Sequence, residues 1–304
     1  MKKIILSILI LLTLGSFFIW QGIYLPKDVE AVEEKLFLVE KGQGLFQMAE
    51  NLEKEGLIKN RLFFDFYVLI KEAQRKLQAG QYELSPSMTI SEIAQKIISG
   101  DTAKQRVTIP EGWTKSQIEE RLGLKLPGEN LEGFLFPDTY QFPIGVSGEE
   151  VVARMKENFE KKLTPELREE IERQGKTIFE IVTMASLIEK EVSKKEDKEL
   201  VSGILWKRLE NGIPLQVDAT ITYITGKKTT KISKEETQID SPYNTYKYRG
   251  LPIGPISNPG LESIIAAVYP KSSEYWYYLS IPGGETIFSK TLEEHNYAKA
   301  KYLK

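Results

Sequence analysis

Residues 177–192, TIFEIVTMASLIEKEV, decide how the rest of the chain is read. Ile178, Ile181, Val182, Ala185, Ile188 and Val192 recur every three or four positions, the spacing of an amphipathic helix. At about 100° per residue, Glu189 comes round to within roughly 20–40° of Ile178, Val182 and Ala185. It therefore falls inside the apolar stripe, whereas Glu180 and Glu191 fall on the other side. A carboxyl in such a place is either paired or kept protonated by desolvation. A protonated carboxyl near neutral pH is what a general acid requires. A structural glutamate that meets a lysine at the helix edge fits the same pattern, so the wheel leaves both readings open.

Composition removes most other chemistries. The chain has no cysteine, which excludes thiol nucleophiles, disulfides and thiolate zinc sites. His295 is the only histidine, so a two-histidine metal site is impossible and a Ser-His-Asp triad would depend on that residue alone. It lies in a Lys/Glu-rich C-terminal segment, the setting of a solvated or capping side chain. No cofactor or metal is expected, and carboxylates become the default acid–base groups. The net charge of −2 and the lack of a long basic run speak against nucleic acid as a partner.

At the N-terminus, Met1-Lys2-Lys3 precedes an uncharged apolar run over residues 4–20, which Ile23 to Leu25 extend to the length of a membrane span. Trp20 and Tyr24 suit the far interface and the lysines the cytoplasmic side. An uncleaved anchor over residues 4–25 is expected, with a cytoplasmic tail at 1–3 and a charged linker at 26–34. The competing reading is a signal peptide cleaved near Ala31. Either way, the bulk of the chain faces the outer side of the cytoplasmic membrane.

Beyond the linker, a strand, a turn and a helix ending at glycine occur three times, beginning at Lys35, Gly80 and Gln105. Thr89 with Glu92 and Thr114 with Gln117 read as capping boxes, and Gly100 and Gly123 as helix stops. A further apolar helix is expected over residues 61–77. These repeats suggest small α+β units suited to binding. Residues 131–143, LEGFLFPDTYQFP, read as an aromatic core strand with turns or, with Glu132 and Asp138, as a sugar-stacking wall. Helices are expected over 149–162, 165–173 and 198–210. LQVDATITYI, from 215 to 224 after the Asn211-Gly212 turn, reads as a strand with Gln216 and Asp218 on one face. Residues 241–260 form an irregular loop rich in Tyr, Pro and Gly, of the kind that is usually functional. Asn258-Pro259 is expected to cap a helix over 261–269. A hairpin through a Pro-Gly-Gly turn and a last helix close the chain.

IPEGW at 109–113, EGFLFPDTY at 132–140, ASLIEKE at 185–191, LQVDATITY at 215–223, SPYNTY with GLPIGPISNPG within 241–260, and EHN at 294–296 resemble, in this order, the endolytic murein transglycosylase family (MltG, YceG-like). The resemblance covers essentially the whole chain. It implies an α+β fold: the N-terminal transmembrane helix, a LysM-like α+β domain at 35–106 and a larger mixed α+β catalytic domain at 107–304. It also implies an enzyme that cleaves the MurNAc–GlcNAc β-1,4 bond of nascent peptidoglycan strands, leaves 1,6-anhydroMurNAc ends and terminates glycan elongation. Peptidoglycan strands, the cytoplasmic membrane and peptidoglycan synthases are the implied partners. The family's catalytic glutamate, taken as the first of the E-K-E element, maps onto Glu189.

In that mechanism Glu189 protonates the glycosidic oxygen and then takes the proton of the MurNAc C6 hydroxyl as its oxygen attacks C1. Gln216, Asp218, Ser241, Tyr243 and Asn244 are candidates for holding sugars, although turn or core roles fit them as well. The family's His-x-Phe in the last hairpin is here Thr286-Ile287-Phe288, a departure. Two other readings stand beside this one. The first is a lysozyme-like hydrolase pairing Glu189 with Asp218 or Asp138, and the second is a non-catalytic wall-binding scaffold.

Overall fold

A computed structural model describes residues 2–227, 229, 231–281 and 283–303. Met1 of the expected tail and Pro282 of the expected turn lie outside the described residues. The chain divides into two units: residues up to Val107 together with 141–146, and 108–140 together with the chain from Ser147 onward.

The first unit begins with α1 (Lys2–Tyr24), whose mean hydropathy of 2.2 over its most apolar window is that of a membrane span. Strand β1 (Lys35–Val39), helices α2 (Leu45–Lys54) and α3 (Arg61–Ile70), strand β2 (Gly80–Leu84) and helix α4 (Ile90–Ser99) follow. β1 and β2 pair antiparallel from Lys35↔Leu84 to Val39↔Gly80. Alternation sends Phe37, Val39, Tyr82 and Leu84 to one face, where they meet Met48, Leu52, Phe64, Val68, Ile93 and Ile97 in a closed core. The capping box of α4 forms as read, from Thr89 and Glu92, and Gly100 ends that helix in the left-handed conformation at φ 71°. Helix α3 stops at Ile70, short of the expected Leu77, because the chain turns at Lys71 and Glu72 takes φ 49°.

Strand β3 (Lys104–Thr108) pairs with β4 (Thr139–Pro143). The second unit contains α5 (Lys115–Leu122), α6 (Gly148–Lys162), α7 (Pro165–Arg173), α8 (Ile178–Glu191) and α9 (Lys195–Glu210). It continues with α10 (Asp218–Thr225), α11 (Leu261–Val268), the antiparallel hairpin β5 (Tyr277–Ser280) and β6 (Thr286–Ser289), and α12 (Leu292–Tyr302). Helix α8 is the centre of this unit and packs against α7, α9, α10 and α11. Its N-terminus is fixed by a capping box between Thr177 and Glu180.

Three expectations change here. Every residue of α8 from Ile181 to Ile188 is buried, so the helix has no solvent face over those turns and a one-sided stripe does not describe it. LQVDATITYI is not a strand: Gln216 takes a positive φ of 55°, which breaks any extended run, and α10 starts at Asp218. The β-branched residues that suggested a strand, Thr220 and Ile221, are buried instead on a short helix ended by Gly226. The cap of α11 is Gly260, not Asn258-Pro259, because the Asn258 side chain is bonded elsewhere.

The aromatic segment 131–143 is core. Leu135, Phe136, Tyr140 and Phe142 are buried, and the Tyr140 hydroxyl donates to the Phe136 carbonyl. Asp138 accepts from Thr139 N and Asn158 Nδ2 and pairs with Lys162.

Candidate active site

Two carboxyls leave the last turn of α8 on opposite sides, since residues 189 and 191 are about 160° apart around a helix. Glu189 turns toward α9 and α11. Its carboxylate pairs with Lys198 Nζ at 3.4 Å and accepts from Ser263 Oγ at 2.6 Å and Gly260 N at 3.0 Å. The side chains of Lys198 and Glu189 are only 3% and 9% exposed. The wheel's second reading, a structural glutamate that meets a lysine, describes this arrangement, with the α11 N-terminus as a third partner. Glu111 lies against the same corner: a Cβ on Gly260 would stand 2.0 Å from its carboxyl oxygen. Burial first, then the Glu189 charge, raises the Glu111 carboxyl above its ordinary value.

Glu191 turns toward α10 and the last hairpin. Burial pushes its carboxyl up to about 7, the Asp218 charge adds to the rise, and hydrogen bonds from the Tyr278 hydroxyl and Ala219 N–H oppose it. Asp218 accepts a hydrogen bond from the Tyr246 hydroxyl. Beside them, Arg208 is buried. Its guanidinium donates to the carbonyls of Pro214 (2.7 Å) and Trp276 (3.2 Å) and to Gln216 Oε1 (2.9 Å). That grip holds Gln216 in the left-handed region at φ 55°, a strained conformation for a residue with a side chain. Gln216 and Asp218 are both exposed. Gln216 keeps its amide nitrogen unbonded among the described residues, and its backbone N–H donates to the Thr245 carbonyl of the irregular loop.

The loop residues sort by what their polar atoms already do. Asn244 is fully engaged: Nδ2 donates to the carbonyls of Thr237 and Ile239, and Oδ1 accepts from Tyr246 N. It is buried and organises the turn, leaving nothing to offer a sugar. Ser241 Oγ accepts from Tyr243 N at 3.3 Å, while the Tyr243 ring packs on Tyr223 with centroids 5.0 Å apart. Ser241 also lines an open groove of 540 Å³ with Pro242, Tyr248, Leu251 and Ile253. The loop is pinned to α8 by Ile256 N donating to Ser186 Oγ and by Ser257 Oγ donating to the Ser186 carbonyl.

A third carboxyl, Glu132, also rises to about 7 through burial, against hydrogen bonds from Lys115 N and Asn258. Asn258 ties its loop to Trp113 O, Leu135 N and Glu132. These bonds make Glu132 a brace between loops. His295 is buried, with its ring stacked on Tyr277 at 5.2 Å. Thr286, at the position of the family's histidine, donates to Asp197 at 2.8 Å.

Sequence reasoning missed Glu191, Arg208, Tyr246, Tyr278 and Lys198. Glu191 stood in the same E-K-E element, and Tyr246 among the loop tyrosines. Arg208 carries no sequence signal, because its partners are mostly backbone carbonyls.

The sequence profile of the YceG-like family matches residues 37–301. The chain is 32% identical over 326 aligned positions to an endolytic murein transglycosylase of Bacillus subtilis (strain 168), covering 95% of this chain and 90% of that protein. It is 29% identical to an endolytic murein transglycosylase of Streptococcus pneumoniae (serotype 2, strain D39), over 99% of this chain and 65% of the pneumococcal one. A crystal structure of a yceG-like protein from Listeria monocytogenes superposes with a TM-score of 0.60 at 33% identity, over 88% of this chain and 99% of that one. With its profile matched over most of its length and a relative aligned nearly end to end, this chain belongs to the YceG-like family of endolytic murein transglycosylases.

Proposed function

We propose that the protein is a membrane-anchored lytic transglycosylase that cuts the MurNAc–GlcNAc β-1,4 bond within peptidoglycan strands, with Glu191 as its single acid–base group. The observation that carries the assignment is the Glu191 carboxyl. Burial and the Asp218 charge raise its proton affinity to about 7, and it stands beside the exposed Asp218 and Tyr246 of the irregular loop. The paired, donor-saturated Glu189 is the less suitable acid.

Protonated Glu191 gives its proton to the glycosidic oxygen as the C1–O bond breaks and positive charge develops on the sugar. The Asp218 carboxylate lowers the cost of that charge, as it raises the proton affinity of its neighbour. The Glu191 carboxylate, now accepting from Tyr278 and Ala219 N–H, removes the proton of the MurNAc C6 hydroxyl. O6 closes on C1, and the product is a 1,6-anhydro end. No water is consumed, and no second carboxylate acts as nucleophile or base, in contrast to the ordinary glycoside hydrolases. Intramolecular attack supplies a high effective concentration. Gln216, Asp218, Ser241 and Tyr243 are the residues we assign to sugar contacts.

In this reading α1 crosses the cytoplasmic membrane once, with Lys2 and Lys3 inside and both units outside. The β1-α2-α3-β2 order with an antiparallel strand pair supports a LysM-like unit that binds glycan. Peptidoglycan strands are the substrate, and synthases of those strands are the partners within reach of such an anchor.

The test is the mass of the fragments released from peptidoglycan by the detergent-solubilised full chain, its Glu191→Gln variant and its Glu189→Gln variant. The parent releases fragments one water lighter than hydrolysis products, and Glu191→Gln releases almost none. Reducing ends from the parent would overturn the transglycosylase reading. Full activity in Glu191→Gln with none in Glu189→Gln would return the acid to Glu189.

A further inference from the structure

Helix α3 divides its surface into three faces. Phe64 and Val68 point into the core of the first unit. Phe63 and Tyr67 pack on α1: the Phe63 ring meets Phe18 edge-on at 5.5 Å and lies across Gly22, and Tyr67 meets Tyr24 at 6.5 Å. The remaining face carries Leu62, Phe66, Leu69 and Ile70, which are 63%, 40%, 45% and 62% exposed. At about 100° per residue these four fall within an arc of about 100°, centred nearly opposite the core face and adjoining the face that meets α1.

Depth follows from the same contacts. Phe18 lies seven residues inside the outer end of the apolar segment at Leu25, about 10 Å along a helix axis. A helix that touches Phe18, Gly22 and Tyr24 therefore runs beside the outermost two turns of the span, the depth at which interfacial helices bury their apolar side. The charges agree with that level. Lys59 and Arg61 precede or open the helix, Lys71, Arg75 and Lys76 follow it, and all five are exposed. Lys71 lies over the Tyr67 ring, with its ammonium 6.0 Å from the centroid.

We propose that α3 is a second membrane contact: its Leu62–Phe66–Leu69–Ile70 face seats in the outer leaflet beside α1, with the flanking basic residues at anionic headgroups. The inference rests on α1 spanning the membrane. Its consequence is that the first unit is laid on the bilayer rather than hung from a flexible stalk, which holds it close to where strands emerge.

The chain has no cysteine, so single reporters can be placed without a background mutant. The full chain, reconstituted in phosphatidylethanolamine–phosphatidylglycerol vesicles, carries an environment-sensitive fluorophore at Leu62→Cys, Phe66→Cys or Ile70→Cys. Lys161→Cys, on an exposed turn of α6, serves as an aqueous reference. The α3 labels are expected to be blue-shifted and quenched several-fold more by lipids spin-labelled near the headgroup than the reference, and protected from aqueous iodide. Two charges introduced by Leu69→Glu with Ile70→Glu should return the Phe66→Cys label to water. Labels on α3 that behave like the reference overturn the proposal, while retention of the chain through alkaline extraction leaves the α1 anchor standing. Labels shielded from both quenchers mean a protein partner covers the face, which also overturns it. Release by alkaline extraction overturns the anchor and the proposal together.

Discussion

Replacing Glu191 by Gln separates a catalytic carboxyl from a merely buried one, because burial alone predicts a stability gain with unchanged turnover, whereas catalysis adds a loss of activity. The folded protein raises this carboxyl from 4.5 to about 7. A raised acid favours folding fully below the unfolded value, and that contribution is lost as pH rises through the folded one. Between pH 4.5 and 7 the parent therefore loses stability relative to a variant that cannot ionise there. At about 1.36 kcal/mol per unit, the shift corresponds to about 3 kcal/mol at most, and solvent reaching a half-buried residue brings it to about 1–2 kcal/mol. Glutamine keeps the shape and can still meet Tyr278.

Thermal unfolding of the detergent-solubilised full chain is followed from pH 4.5 to 8. The melting temperature of Glu191→Gln should rise relative to the parent by about 2–6 °C across that interval. Glu132, which rises to about 7 as well, is present in both proteins and cancels in the difference. Activity should move the other way. kcat/KM of the parent declines as pH passes about 7, when the acid is lost, and the variant falls by about 10²–10⁴-fold. Parallel stability profiles with unchanged turnover would refute both the raised proton affinity and the assignment.

Asp218→Asn removes the like charge beside Glu191, so the alkaline limb of the pH–rate profile should move to lower pH while kcat falls; an unmoved limb would remove Asp218 from the pair. His295 is held down to about 4 by burial first, with Lys299 and Arg208 adding to the effect. Stability tied to it is present above the unfolded value of 6.5 and is lost as pH falls toward 4, by about 1–2 kcal/mol after allowance for solvent. His295→Gln should flatten that slope in denaturant titrations between pH 4 and 7. Asn258→Ala orphans Leu135 N and removes a donor from Glu132, and should cost about 3 kcal/mol in the same titrations.

What could be read from the sequence was local. The capping boxes read at Thr89 and Thr114 form, since both partners lie in one turn, and the structure adds a third of the same spacing at Thr177. Helix α7 matches its expected bounds because Thr164-Pro165 opens it. What the local pattern did not carry has one cause. Residues 215–224 alternate like a strand, yet tertiary packing decides the state of so short a segment. Asn244 looked available because its partners are all backbone groups, the carbonyls of Thr237 and Ile239 for its amide nitrogen and the N–H groups of Tyr246 and Lys247 for its oxygen, which no side-chain pattern announces. Glu189 and Glu191 were separated by a wheel that assumes one wet side. In a helix surrounded by four others that assumption fails, and the neighbours on each side set what either carboxyl can do.

That division of labour leads to Lys198. On one side of the α8 terminus, the buried ammonium, Ser263 and the amide of Gly260 lock Glu189 to α9 and α11. Two residues on, the same backbone aims Glu191 at Asp218 and Tyr278. Lys198→Met leaves every group around Glu191 in place but strands a buried carboxylate, and should destabilise the chain by about 3 kcal/mol. Below its melting range the variant should show a reduced kcat, a nearly unchanged KM and an unmoved alkaline limb, because the proton affinity is set on the far side of the helix while the aim is set on the near side. A structural role alone predicts turnover equal to the parent once the protein is folded. Glu189 as the acid predicts instead that the limb shifts to higher pH, since its counter-charge has been removed. The three outcomes are distinct, and a pH–rate profile of one variant tells them apart.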